Sequence, residues 1–229
     1  MNSAKVAIWD FPTRIFHWAL ASSVAYAWFA VEILEDMDQH FLAGYTILAL
    51  LLFRLSWGVV GTRYVRFANM LYRPTRIVAY LKDWRRGGKV VYAGHNPSGG
   101  LAAVVMLALL CLQASTGLFS TDDYYFGPLS GFIEDNTRNR ITEFHHLNSN
   151  FIWAMVGLHI SAILLYRIVK GERLTSAMLT GKKQLPDGTP GIQHSRMVIA
   201  LVLAIAAALL VYWLANAFTE YLPTVSFDY

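Results

Sequence analysis

The sequence contains a single cysteine among its 229 residues, Cys111, and this scarcity removes several kinds of site. One thiol cannot form a disulfide within the chain, and it cannot supply the ligand sets of cysteine-based zinc sites or iron–sulfur clusters. The C-x-x-C-H sequence that attaches a c-type haem is also missing. If this chain holds a redox cofactor, histidine must therefore do most of the binding.

Charged residues are scarce as well. They make up 15% of the chain, whereas 55% is hydrophobic and 14% is aromatic, which is not the composition of a soluble domain. Crossing the hydrocarbon layer of a membrane takes ~20 mostly apolar residues. Five stretches are long enough, and we therefore predict an all-α integral membrane protein with transmembrane helices at about residues 15–34, 41–61, 99–119, 148–166 and 197–217.

Lysine and arginine are distributed unevenly between the predicted connections. Residues 62–98 contain eight and residues 167–196 contain six, whereas residues 35–40 contain none and residues 120–147 contain two. Because cytoplasmic loops carry the excess of basic residues, the N-terminus is predicted to be cytoplasmic and the C-terminus to lie outside. The same asymmetry accounts for the pI of about 9.2 without any nucleic-acid partner.

The Pro- and Gly-containing stretch 184–193 separates the last predicted helix from the others. We therefore divide the chain into a four-helix transmembrane domain, residues 1–183, and an appended part, residues 184–229, with a linker, a fifth helix and an outer tail.

Four histidines lie at matching depths in the predicted helices. His145 and His159 are 14 residues apart, so on one helix they share a face and lie ~21 Å apart along its axis. His17 is level with His159, and His40 is level with His145. Ionisable side chains at membrane depth are functional by default, and neutral imidazole is a ligand for haem iron. The pattern predicts an inner pair (His17 and His159) and an outer pair (His40 and His145), although any single histidine could instead be a hydrogen-bonded packing residue.

Arg54 and Gly44 lie on the same helical stripe as His40. A charge in mid-span costs about 2.5 to 3.5 kcal/mol on insertion scales, and Arg54 falls at the depth of the inner pair. A haem propionate would be a natural partner for it, and the alternative is a side chain that reaches out to the cytoplasmic interface. Gly44 and Gly58 would let a flat macrocycle approach the backbone, but close helix packing would require the same residues.

His95 is a further candidate, because it directly precedes a pair that is typical of a helix start. Asn96 is a good N-cap residue and Pro97 a good first-turn residue. His95 could be an interface residue, a group near a quinone, or a ligand in place of His17.

Several motifs, in the same order, resemble the dihaem membrane cytochromes of the nickel–iron hydrogenase b-type cytochrome subunit family, whose superfamily includes bacterial cytochrome b561. The resemblance covers roughly residues 6–183. It rests on the two histidines fourteen residues apart and on the segments "WDFPTRIFHW", "HFLAGYTILALLLFRLSWGVVG" and "GHNPSGGLAAVVMLALLCLQASTGLF".

The resemblance implies a four-helix haem-binding bundle with two haem b groups, whose iron ligands are His17, His40, His145 and His159. It implies that the chain lies in the lipid of a bacterial inner membrane. There it would transfer electrons between the quinone pool and a periplasmic cytochrome c or oxidoreductase subunit. The chain would then be an electron-transfer cytochrome within a quinone oxidoreductase. Two other functions stay open: a cytochrome that acts alone on superoxide or another small reductant, and a transporter that moves metal ions or protons with its intramembrane histidines.

Overall fold

The computed structural model describes residues 3–88, 90–122 and 124–222, and the described chain is mostly helical. Two short strands, β1 (Ser3–Ala7) and β2 (Lys182–Pro186), accompany the helices. The α-helices of the described residues are α1 (Phe11–Glu32), α2 (Met37–Val60), α3 (Pro74–Arg85), α4 (Pro97–Gly117), α5 (Asp135–Lys170), α6 (Leu174–Thr180) and α7 (Met197–Ala217).

Within the described residues, four helical segments are long and apolar enough to cross a membrane. They are α2, α4, α5 and Met197–Tyr221, which contains α7. The predicted first span, α1, has 22 residues but is not among them, and it carries the polar or charged residues Arg14, His17 and Glu32. The chain is a multi-pass membrane protein, and the count of five spans stays a prediction.

The histidine spacing relies on one uninterrupted helix, and the structure provides it. α5 has 36 residues and begins at Asp135, well before the span predicted from residue 148. His145 and His159 therefore lie on the same helix. The helix start predicted at Asn96 is also confirmed, because its side-chain oxygen accepts a hydrogen bond from the backbone N–H of Gly99 at 2.6 Å.

The two-stranded sheet departs from the all-α prediction. β1 pairs antiparallel with β2, in a register that runs from Ser3 opposite Pro186 to Ala7 opposite Lys182. Each strand has only five residues, and β2 overlaps the Pro- and Gly-containing stretch, so local sequence gave no strand signal. The pairing joins residues that are far apart in the chain, which a local pattern cannot reveal.

The chain divides into two compact units, and each helix of α1, α2, α4, α5 and α7 contributes one end to each of them. Unit 1 also contains the sheet, α3 and α6. It consists of Met1–Trp18, Arg54–Met106 and Met155–Leu203. Unit 2 consists of Ala19–Phe53, Leu107–Ala154 and Ala204–Tyr229. His17 and His159 belong to unit 1, and His40 and His145 belong to unit 2.

Candidate functional site

Two histidine rings face one another in unit 2. His40, in the first turn of α2, and His145, in α5, have ring centroids 6.3 Å apart and ring planes at 81°. Two metal–imidazole bonds of about 2 Å, with about 1 Å more from each nitrogen to its ring centre, would place the centroids about 6 Å apart. The outer pair therefore has the spacing of two axial ligands on one metal ion.

Hydrogen bonds set which nitrogen of each ring is available. His40 Nδ1 lies 2.9 Å from the carbonyl oxygen of Ala27, which can only accept, so Nδ1 carries the proton. His145 Nδ1 lies 3.0 Å from the hydroxyl oxygen of Thr116, and that hydroxyl donates its own proton to the carbonyl of Leu112 at 2.9 Å. Thr116 therefore accepts from the ring. Both rings keep Nε2 as a lone-pair ligand, the usual arrangement for a metal-binding histidine.

Glycines border the outer pair. A Cβ atom on Gly117 would stand 3.1 Å from Cε1 of His145, so this ring lies close against the backbone of α4. Gly44 is one helical turn after His40, and apart from its chain neighbours and its own helix backbone no heavy atom of the described residues lies within 4 Å of the place that its Cβ would take. The predicted approach of a flat group to the backbone of α2 thus has room at Gly44.

Unit 1 contains a third imidazole, that of His95, near those of the inner pair, His17 and His159. Burial, followed by the nearby charges of Arg54, His159 and His17, lowers the pKa of His95 to about 4, so His95 is neutral at physiological pH. These electrostatic interactions place the four side chains in one neighbourhood. His95 has contacts of its own, because its ring packs edge-on against Trp9 with centroids 4.9 Å apart.

The same cluster contains three of the six buried side-chain polar atoms that have no hydrogen-bond partner within the described residues. Among the residues that the structure describes, Nδ1 of His17, Nδ1 of His95 and Nη1 of Arg54 are buried and have no hydrogen-bond partner. Leaving a buried polar atom unpaired costs about 1–3 kcal/mol. Such atoms in one place fit a bound group that brings acceptors of its own.

Arg54 is only 5% exposed, so its side chain is enclosed by other protein groups. Its Nη2 donates to the carbonyl of Val65 at 3.1 Å and contacts Sδ of Met70 at 3.4 Å. Its Cζ lies 4.9 Å from the centre of the Phe67 ring. A Cβ on Gly58 would overlap that same ring, so Gly58 serves close packing, the alternative that the sequence left open.

Sequence reasoning missed two residues beside these sites, Thr116 and Asp10. Asp10 is 2% exposed and interacts electrostatically with Arg54. Its Oδ1 caps α1 by accepting from the N–H of Thr13 at 2.7 Å, and its Oδ2 accepts from the hydroxyl of Thr62 at 2.5 Å. The position before "FP" is a capping signal, but only the tertiary structure brings Asp10 near an arginine of α2.

Neither site offers a complete set of protein ligands. Across residues 3–88, 90–122 and 124–222, no group of three or more His, Cys, Asp and Glu side chains could hold a metal ion alone. Paired imidazoles fit a metal whose remaining ligands come from a cofactor.

Comparison with known proteins adds an independent finding. The family model of prokaryotic cytochrome b561 matches residues 8–181. A probable Ni/Fe-hydrogenase B-type cytochrome subunit of Rhizobium leguminosarum bv. viciae is 26% identical over 222 residues, which cover 80% of this chain and 90% of that protein. Its counterpart in Bradyrhizobium diazoefficiens is 23% identical over 220 residues, which cover 80% and 87%. No solved structure matches the chain. The matched range contains both histidine pairs and Arg54.

Proposed function

The chain belongs to the prokaryotic cytochrome b561 family, and on that premise we propose that it is a dihaem b-type cytochrome that carries electrons across a bacterial inner membrane. When bound, haem b supplies reversible one-electron transfer at its iron. The chain's own residues hold the group, orient its axial ligands and set the charge around it.

The spacing of His40 and His145 carries the proposal. Their ring centroids are 6.3 Å apart, and both Nδ1 atoms have acceptors, so two Nε2 lone pairs are available for one iron. If both imidazoles hold the iron, the chain would leave no ligand position open for oxygen chemistry at the metal. Electron transfer is the function that such a site supports best.

For the inner site we assign His17 and His159 as ligands. His95 is the third imidazole there, but its ring packs on Trp9 and its carbonyl accepts a hydrogen bond from the Tyr72 hydroxyl at 2.9 Å. These contacts favour a packing role for His95. The unpaired Nη1 of Arg54 is suited to a carboxylate of the cofactor.

The proposed orientation of the chain in the membrane rests on the connections that are rich in lysine and arginine. Placing them in the cytoplasm puts the inner pair on the cytoplasmic side, the outer pair on the periplasmic side and the C-terminus outside. Residues 1–183 then form the haem-binding four-helix domain, and residues 184–229 add the linker, the fifth span and the tail.

The two relatives are named as subunits that accompany a hydrogenase. By that likeness we propose a periplasmic oxidoreductase subunit or cytochrome c as the partner at the outer site. Quinone would react at the other side, close to His95 and Asn96, where the Asn96 amide donates to the hydroxyl of Tyr166 at 3.0 Å. A cytochrome that oxidises a small reductant without a protein partner is the alternative.

The test is the visible spectrum and the haem content of the purified chain. We expect a red protein with sharp α and Soret bands on reduction and two haems per chain in the pyridine haemochrome assay. His146→Ala is a matched control, because His146 is the exposed neighbour of His145 and should be dispensable. A colourless protein that inserts in the membrane would overturn the proposal and favour a transporter.

A further inference from the structure

A polar network on α4 holds one ring of the outer pair. The Thr116 hydroxyl oxygen lies 3.0 Å from Nδ1 of His145. The same hydroxyl donates to the carbonyls of Leu112 at 2.9 Å and Gln113 at 3.0 Å. Since these carbonyls take up the hydroxyl proton, the Thr116 oxygen is left to accept from Nδ1 of His145.

A second contact fastens α5 to α4 beside this ring. Asn148 lies one turn after His145 and is 1% exposed. Its amide nitrogen donates to the carbonyl of Leu109 at 3.0 Å and to the side-chain oxygen of Gln113 at 2.7 Å. A rotation of α5 that moved His145 away from Thr116 would also break these buried hydrogen bonds.

This restraint distinguishes His145 from His17. The ring of His145 lies against Gly117, so it has little room to turn. By contrast, Nδ1 of His17 is buried and has no partner among the described residues. The network therefore acts on one specific ligand rather than on every histidine of the chain.

We propose that Thr116, supported by Gln113 and Asn148, is a positioning residue for His145 that sets the redox potential of the outer site. The inference rests on the proposed haem ligation. An acceptor on Nδ1–H makes an imidazole more basic and a stronger donor to the metal. A stronger donor stabilises ferric over ferrous iron, so Thr116 holds the outer potential lower. The same contact fixes the rotation of the His145 ring relative to His40.

The experiment is a redox titration of Thr116→Val, which keeps the shape of the side chain and removes the acceptor. We expect two haems per chain, an upward shift of the component that His40→Ala removes, and no movement of the other component. The electron paramagnetic resonance line shape of the shifted component should change as well. Thr116→Ser restores the hydroxyl and should restore both the potential and the line shape.

Thr46→Val is the matched control. The Thr46 hydroxyl also donates back within its helix, to the Leu42 carbonyl at 2.8 Å, but Thr46 is exposed. It should leave both components in place.

The outcomes separate the two proposals. A wild-type protein without haem overturns the proposed function. A wild-type protein with two haems, whose potentials and line shapes are the same in Thr116→Val, overturns the positioning role, and so does an equal shift in Thr46→Val. If Thr116→Val does not accumulate in membranes, Thr116→Ala is read by the same criteria.

Discussion

The rings of His40 and His145 stand at 81° to one another with their centroids 6.3 Å apart, and each ring is held by a different helix. The carbonyl of Ala27, on α1, accepts from His40, whereas the hydroxyl of Thr116, on α4, accepts from His145. The orientation of one ring is thus independent of the orientation of the other. Nearly perpendicular ligand planes are built into the chain itself.

This angle predicts a spectroscopic property of the oxidised protein. Perpendicular imidazole planes leave two iron orbitals nearly degenerate, so the outer haem should give a strongly anisotropic low-spin ferric signal. Electron paramagnetic resonance of the frozen protein measures it, and His40→Ala should remove it. A rhombic signal, which near-parallel imidazoles produce, would contradict the observed ring geometry.

The two haems should be separable by mutation, because each pair has one member on α1 or α2. We expect His40→Ala to lose the outer haem and His17→Ala to lose the inner one, with one haem left per chain in each variant. The pyridine haemochrome assay counts them. His95→Ala should keep both haems, and a haem lost there rather than in His17→Ala would make the inner assignment wrong.

A larger side chain at Gly44 tests whether a cofactor lies against α2, because the substitution should not clash with other parts of the protein. Among the described residues, only its chain neighbours and its own helix backbone lie within 4 Å of the Cβ position, so a larger side chain meets no group of another element at that point. We expect Gly44→Leu to reduce the outer haem content well below one per chain. Gly157→Leu is the control, because Gly157 also has open space around it but is exposed. Equal haem content in the two variants would mean that no macrocycle approaches Gly44.

Arg54→Leu should lower the potential of the inner haem. Removing a buried cation favours the ferric state, which carries one more positive charge, and at an effective dielectric of about 20 the shift is on the order of 50–100 mV. A redox titration should show this displacement in the component that survives in His40→Ala. Arg66→Leu is the control, since Arg66 also donates to a loop carbonyl, that of Gly61 at 2.9 Å, but is only partly buried. An equal shift in the potentials of both haems, or a shift in neither, would contradict the pairing of Arg54 with a propionate of the inner haem.

The rate of electron transfer to or from a soluble partner should fall as the ionic strength rises. The segments predicted to face outward hold ten acidic residues and two basic ones, Arg138 and Arg140, for a net charge of −8. Such a surface attracts a basic docking patch, and salt screens the attraction. Stopped-flow reduction of a basic cytochrome c at increasing ionic strength measures the effect. A rate that does not change with ionic strength would indicate that the partner is a permanently bound subunit or a neutral small molecule. The acidic residues are Glu35, Asp36, Asp38, Asp122, Glu134, Asp135, Glu143 and Glu220, together with Asp123 and Asp228, which lie outside the described residues.

Helical periodicity predicted the parts of the site that lie on long helices. The spacing of His145 and His159 needs only the geometry of one helix, and the depth of His40 needs only the antiparallel order of the spans. The family resemblance, confirmed over nearly the same residues, agreed with both.

The neighbours of these ligands were not predictable in the same way. Thr116 reaches the ring of His145 from another helix, and Asp10 interacts electrostatically with Arg54, which is distant from it in the sequence. Neither relationship produces a periodic pattern in the sequence from which it could be predicted. The short α3 was not predicted for a different reason: its basic residues were used to predict the orientation of the connection and not to look for a helix within it.

The pairing of β1 with β2 imposes an order on biosynthesis. β1 leaves the ribosome first, but its partner is synthesised only after α1 to α6. Until then the carbonyl of Gly181, which accepts from the N–H of Ile8 at 2.8 Å, has not been made, and the entry to α1 lacks this contact. β1 therefore stays unpaired while α1 to α6 are made, and unit 1 gains its sheet only afterwards.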